Sequence, residues 1–97
     1  MARLTSSAIK FYIAGDAYPT IMTGLRHSDI FEKIYKLGIK YDKQTAVQGF
    51  ITSDDQFVDR YDAIGIAYSA GQIPEEKFNN PILFSEDVWP PRKGDSI

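Results

Sequence analysis

The alternation of hydrophobic and polar positions along the first half of the chain predicts a β-hairpin followed by a helix. Residues 8–13 are rich in aromatic and β-branched side chains, which favours a strand. Gly15, Asp16 and Pro19 are typical turn residues. Residues 20–23 are therefore expected to return antiparallel to the first strand.

The first helix is predicted over residues 29–37. Ser28 is placed to cap its N-terminus, and Gly38 is a suitable C-terminal stop. Its apolar positions recur at helical spacing, at Ile30, Ile34 and Leu37. This amphipathic pattern favours a helix that packs one face against a sheet.

The second half of the chain repeats the strand–strand–helix order. Residues 46–52 and 57–58 are expected to pair across a polar turn. Gly49 lies inside the first of these strands, which often marks a bulge or a close approach of another group. Asp59 is then expected to cap a second helix that ends near Ala70.

These elements predict a two-layer α+β fold in the order β-β-α-β-β-α, with an antiparallel sheet of about four strands packed on two helices. The chain has 97 residues, which is the length of one domain, so residues 1–97 are treated as a single domain. Residues 82–84 can dock as a further short strand, and Trp89 can anchor the end of the domain. Residues 92–97 are expected to be frayed.

Composition narrows the class of protein. The formal net charge of −2 disfavours broad electrostatic binding to nucleic acid, although a local basic pocket stays possible. The chain has no cysteine, which excludes disulfides and zinc–thiolate sites. No apolar run approaches the roughly 20 residues that span a bilayer, so we expect a soluble, intracellular protein without a membrane partner.

The sequence lacks the common catalytic motifs. Glycine-rich phosphate-binding loops are absent, and a single histidine leaves zinc catalysis without its usual ligands. His27, Ser28 and Asp29 are adjacent, but neighbouring residues at a helix start point in different directions and do not form a catalytic triad. We expect no enzymatic activity, no metal and no cofactor.

The second helix is apolar on nearly every side, and a chain this small cannot easily bury such a helix alone. Gly65 near its centre costs about 1 kcal/mol relative to alanine, which suggests a close approach by either its own sheet or another copy of the chain. We expect a homo-oligomer interface formed by Tyr61, Ile64, Gly65 and Tyr68. The alternative is a central core helix with the C-terminal segment wrapped over its outer side.

Basic residues stand at both helix starts, where the helix dipole makes cations locally unfavourable. Arg26 and His27 precede the first helix, and Arg60 begins the second. An anion bound there by guanidinium and free backbone N–H groups would explain this placement, although each arginine could instead pair with a carboxylate or be solvated. Phe50 and Phe57 flank the turn of the second hairpin and could stack a base, unless they belong to the core.

Three segments carry a resemblance to known proteins: RHSD at residues 26–29, GFITSDDQFVDRYDAIGIAYSAGQI at 49–73, and LFSEDVW at 83–89. Together they resemble a group of small phage and prophage proteins, and among these the Thoeris anti-defence sponges. Those sponges bind cyclic ADP-ribose-type signals made by bacterial TIR immune enzymes and hold them without cleavage.

The resemblance implies a phage protein of the host-cell cytoplasm that sequesters a small cyclic nucleotide signal. It implies a homo-oligomer with ligand pockets between subunits, in which Arg26 and Arg60 contact phosphate and Phe50 or Phe57 stacks the base. The alternative function is a protein-interaction inhibitor that docks on a host defence or nucleic-acid enzyme. The acidic pairs at residues 54–55, 75–76 and 86–87 would suit a basic partner.

Overall fold

The computed structural model describes residues 2–79 and 82–89. The elements follow in the order β1 (Leu4–Phe11), β2 (Thr20–Gly24), α1 (His27–Lys36), β3 (Val47–Thr52), β4 (Phe57–Asp59), α2 (Asp62–Ser69), a 3₁₀ turn (Glu75–Lys77) and α3 (Ser85–Val88). The predicted β-β-α-β-β-α order is confirmed, with two short helical segments added after it.

The four strands form one antiparallel sheet in the order β2-β1-β3-β4, which confirms the predicted α+β class. β1 lies inside the sheet and pairs along its length with β2 and β3. Alternate residues of a strand face the same side, so Ser7, Ile9 and Phe11 share a face. Phe50 pairs directly with Ser7 and therefore faces that side too. Both long helices cover this face, because each helix packs on side chains that the face carries.

The core divides into two clusters, one under each helix. The α1 cluster comprises Ile9, Phe11, Ile30 and Ile34. The α2 cluster comprises Leu4, Phe50, Ala63, Ile64, Ala67, Ile73, Leu83 and Val88, with Trp89 packed against it. The C-terminal segment thus completes the core under α2, and the expected anchoring role of Trp89 is confirmed.

The first half differs from the sequence prediction at its boundaries. β1 begins four residues earlier than expected, at Leu4, because pairing with two neighbouring strands extends it through a serine-rich stretch of modest strand propensity. Arg26, and not Ser28, occupies the N-cap position of α1, and no side chain caps it. Leu37 follows the last helical residue and is 63% exposed, so its predicted place on the buried stripe is wrong. Gly38 has a φ of 67°, as expected of a helix stop.

The stop predicted for the second helix is confirmed, but its predicted cap is wrong, because Tyr61 occupies the N-cap position of α2 and no side chain caps it. Arg60, predicted to begin the helix, lies in the turn before it. The Asp62 N–H donates to Asp59 Oδ1 at 2.7 Å, and Gly71 follows the helix with a φ of 74°. The short strand expected at residues 82–84 is wrong. Leu83 is buried and donates its N–H to the Arg60 carbonyl at 3.1 Å, and α3 begins two residues later. The predicted frayed tail at 92–97 lies outside the described residues.

Gly49 is a point of close approach, as predicted from its place inside a strand. A Cβ at this position would collide with the Val58 carbonyl oxygen and would lie 2.7 Å from Cζ of the Phe57 ring. The irregular pairing in the sheet lies elsewhere, between Leu4 and Ser6 of β1. The neighbouring atoms therefore leave room only for glycine at residue 49.

We predict that Gly49→Ala destabilises the protein by about 2 kcal/mol, because the added methyl group overpacks a fixed backbone neighbour. The free energy of unfolding from urea denaturation measures the effect. Gly65→Ala is the matched control, since a Cβ on Gly65 meets nothing within 4 Å. Equal stability of Gly49→Ala and the wild type would contradict the close approach.

Candidate functional site

The basic residues at the two helix starts meet at one short C-terminal segment. Arg26 Nη1 donates to the Ser85 carbonyl at 2.9 Å. The Arg60 guanidinium carbon lies 5.7 Å from the centroid of the Phe84 ring. The two arginines thus contact consecutive residues of this segment, and we call Arg26, Arg60, Phe84 and Ser85 the arginine site.

The arginine site keeps its positive charge. In the part of the chain that the structure describes, the ion pairs within 4 Å are Lys36–Glu32 and Lys77–Asp87, so neither Arg26 nor Arg60 is paired with a carboxylate there. Both arginines are half-buried, which weakens the screening of their charge by solvent. Among the described residues, the alternative that each arginine pairs with a carboxylate is therefore not met.

His27 has a structural position beside this site. It is 7% exposed, and its Nε2 lies 2.7 Å from the Gly49 carbonyl oxygen, which can only accept a hydrogen bond. Its ring packs edge-on against Phe50, with ring centroids 5.1 Å apart. Burial lowers the pKa of His27 below its ordinary value of 6.5, and Arg60 lowers it further, against opposing effects of the Gly49 hydrogen bond and Glu86. His27 therefore ties α1 to β3 as a neutral donor.

The two phenylalanines predicted to stack a base lie on opposite faces of the sheet. Phe50 is fully buried in the α2 cluster, with its ring centroid 6.1 Å from that of Trp89. Phe57 points to the other face, where Lys10 Nζ lies 5.7 Å from its ring centroid. Strand alternation separates them, and neither ring offers a free face to the arginine site.

Two exposed aromatic residues other than Phe50 and Phe57 lie next to Arg60. Phe84 is 47% exposed beside Arg60, and Tyr61 is 72% exposed. Arg60 also lines an open cleft of about 300 Å³, together with Ala46, Val47, Gln48, Asp59, Tyr61 and Ile82. Sequence reasoning missed Phe84 as a site residue, and its place inside the LFSEDVW segment was the available signal.

The surface of α2 bears on the expected oligomer interface. Ile64 is 6% exposed and belongs to the α2 cluster, so it packs inside the chain's own fold. Tyr61, Gly65 and Tyr68 instead form an exposed stripe at helical spacing. Phe78 partly covers this stripe, with its ring centroid 4.8 Å from that of Tyr68. The C-terminal segment therefore covers part of the outer side of α2, as the alternative prediction expected. The rest of the stripe is uncharged and stays exposed.

The described residues contain no cluster of three or more His, Asp or Glu side chains that could hold a metal ion. None of the described helices has both the length and the hydrophobicity that spanning a bilayer requires.

The family model of the phage T4 y16D protein matches residues 3–89. The chain belongs to the phage T4 y16D protein family. The match includes every strand and helix and all four residues of the arginine site. It establishes a small phage protein and carries no evidence for the resemblance to the Thoeris sponges. Comparisons with curated proteins and with solved structures find no match.

We predict that His27 titrates below pH 6.5 in the folded protein, because burial disfavours the charged ring. It is the only histidine of the chain, so its ring C–H signals in an NMR pH titration are unambiguous. As the pH falls, His27 takes up its proton in the unfolded chain before it does so in the folded protein. The stability that comes from burying neutral His27 is therefore complete above pH 6.5 and is lost as the pH falls through the pKa of the folded protein. Urea midpoints at pH 7.5 and 5.5 should differ less in His27→Gln. An NMR titration of His27 with its midpoint at or above pH 6.5 would contradict the argument that burial lowers the pKa.

We predict opposite outcomes for Gly65→Ala in a monomer and in an oligomer built on α2. In a monomer the variant gains about 0.5–1 kcal/mol of stability, because alanine is the better helix former and the added Cβ meets open space. In an oligomer with close contact at this glycine, the same variant dissociates the assembly. Light scattering coupled to size exclusion measures the mass, and urea denaturation measures the stability.

Proposed function

We propose that this phage protein is a non-enzymatic binding protein that captures a small phosphorylated ligand of the nucleotide class at the arginine site. The observation that carries the proposal is that two half-buried guanidinium groups contact consecutive residues, Ser85 and Phe84, with no carboxylate partner among residues 2–79 and 82–89. Such groups recognise phosphate through paired, charge-assisted hydrogen bonds.

The surroundings of the arginines favour an anion with a flat body. Arg26 occupies the N-cap of α1, where no side chain caps the helix, and free N–H groups at such a start favour negative charge. Arg26 Nη1 is held by the Ser85 carbonyl, which orients the guanidinium and leaves its other N–H groups for a ligand. Tyr61 in the adjoining cleft supplies an exposed aromatic ring for stacking.

Capture without cleavage agrees with the chemistry of the site. His27 is 7% exposed and donates its Nε2–H to the Gly49 carbonyl, which gives the ring a structural role. Cyclic ADP-ribose isomers are the first ligands to test, because they combine adjacent phosphate groups with a flat base. Sequestration of such a signal in the host cytoplasm would give the protein an anti-defence role.

We predict that cyclic ADP-ribose isomers, or cyclic di- or trinucleotides, raise the melting temperature of the wild type. Arg60→Ala should weaken the binding of the responding compound by roughly tenfold or more, because one charge-assisted contact is lost. Scanning fluorimetry identifies the ligand, and isothermal titration calorimetry measures the affinities.

Arg3→Ala is the matched control, since it removes an exposed arginine that lines a different cleft. Arg26→Lys is a second variant that keeps the charge and removes the paired geometry. Unchanged affinity in Arg60→Ala and Arg26→Lys would overturn the assignment of the site. No response to any compound would overturn nucleotide capture and favour docking on a host protein.

A further inference from the structure

A second cleft lies at the opposite end of α1 from Arg26. It is formed by the last turns of the helix and the connection that leads towards β3, and its volume is about 470 Å³. Its lining consists of apolar and aromatic side chains and two lysines: Phe31, Ile34, Tyr35, Ile39, Tyr41, Lys40 and Lys43. This volume is within the usual range for small-molecule sites, which is about 300–1,000 Å³.

The floor of this cleft is part of the core. Ile34 is 2% exposed in the α1 cluster, and Phe31, Ile39 and Tyr41 pack against that cluster. The Tyr41 ring is held in place by Phe11, with centroids 5.1 Å apart. Tyr35 stands at the rim and is 85% exposed. The cleft therefore combines a fixed apolar floor with a free aromatic side chain at its edge.

Positive charge accompanies this apolar surface. In the described part of the chain, neither Lys40 nor Lys43 lies within 4 Å of a carboxylate, whereas the neighbouring Lys36 pairs with Glu32 at 3.0 Å. Asp42 lies between the two lysines in sequence, but its Oδ1 accepts from the Gln44 N–H of its own turn. Two unpaired ammonium groups beside an aromatic floor are complementary to an anion that carries an apolar ring.

We propose that this cleft, which we call the lysine cleft, binds a small organic anion with an aromatic body. The ring of the ligand would pack on Phe31, Ile39 and Tyr41, and its acidic group would face Lys40 and Lys43. The volume of the cleft suits a small molecule. This site is separate from the arginine site and does not depend on the proposed function.

A matched pair of fluorescent probes tests the proposal. 1-Anilinonaphthalene-8-sulfonate carries an aromatic body and one anionic group, and N-phenyl-1-naphthylamine carries the same body without the charge. We predict that the wild type binds the sulfonate, and that Lys40→Ala/Lys43→Ala weakens this binding roughly tenfold, as expected for two exposed charge contacts. Binding of the neutral probe should be weaker in the wild type and unchanged in the double variant.

Lys33→Ala/Lys36→Ala is the control, because it removes the same charge from exposed positions of α1 outside the cleft lining. Amide chemical shifts recorded with the sulfonate probe should change at residues 31–43. Equal affinity of the wild type and Lys40→Ala/Lys43→Ala, or shift changes confined to other residues, would overturn the proposal. A failure at the arginine site would leave these results unaffected, so the two proposals are tested independently.

Discussion

The burial of one face of β1 and β3 is the constraint on which the rest of the structure depends. A two-layer protein of this size covers a single sheet face with helices, so the side chains on that face decide where α1, α2 and the C-terminal segment lie. Phe50 shows this most directly, because its ring contacts His27 at the start of α1 and Trp89 after α3. The packing that stabilises the core therefore also fixes the residues beside the arginine site.

Because of this dependence, the arginines have a structural role and a proposed ligand-binding role, and the two roles do not compete. The hydrogen bond from Arg26 to the Ser85 carbonyl joins α1 to α3, and the Leu83 N–H joins the same segment to the Arg60 carbonyl. A charged donor on a half-buried carbonyl contributes about 1.5–3 kcal/mol, so a ligand that displaced the Arg26 bond would lose much of its own binding energy. Binding is favoured when the ligand uses the remaining guanidinium N–H groups, which the closed segment already holds in place.

The features that could be predicted from sequence are those that single residues specify. Gly38 and Gly71 end helices because they adopt a positive φ. The starting residue of β1 and the faces of Phe50 and Phe57 depend on pairing between strands, which one strand's sequence does not determine. The contacts of Arg26 with Ser85 and of Arg60 with Phe84 depend in addition on how residues 82–89 dock, which no local pattern specifies.

The two sites at the ends of α1 differ in how the helix acts on a bound anion. At the N-terminus the dipole adds to the attraction of Arg26, whereas at the C-terminus it opposes an anion, and Lys40 and Lys43 must offset it. The lysines are exposed and the arginines are half-buried. At about 0.15 M salt, charges are screened over about 8 Å in solvent but less where they are buried. Ionic strength therefore weakens the lysine cleft before the arginine site, which gives a physical means of separating the two when both are occupied.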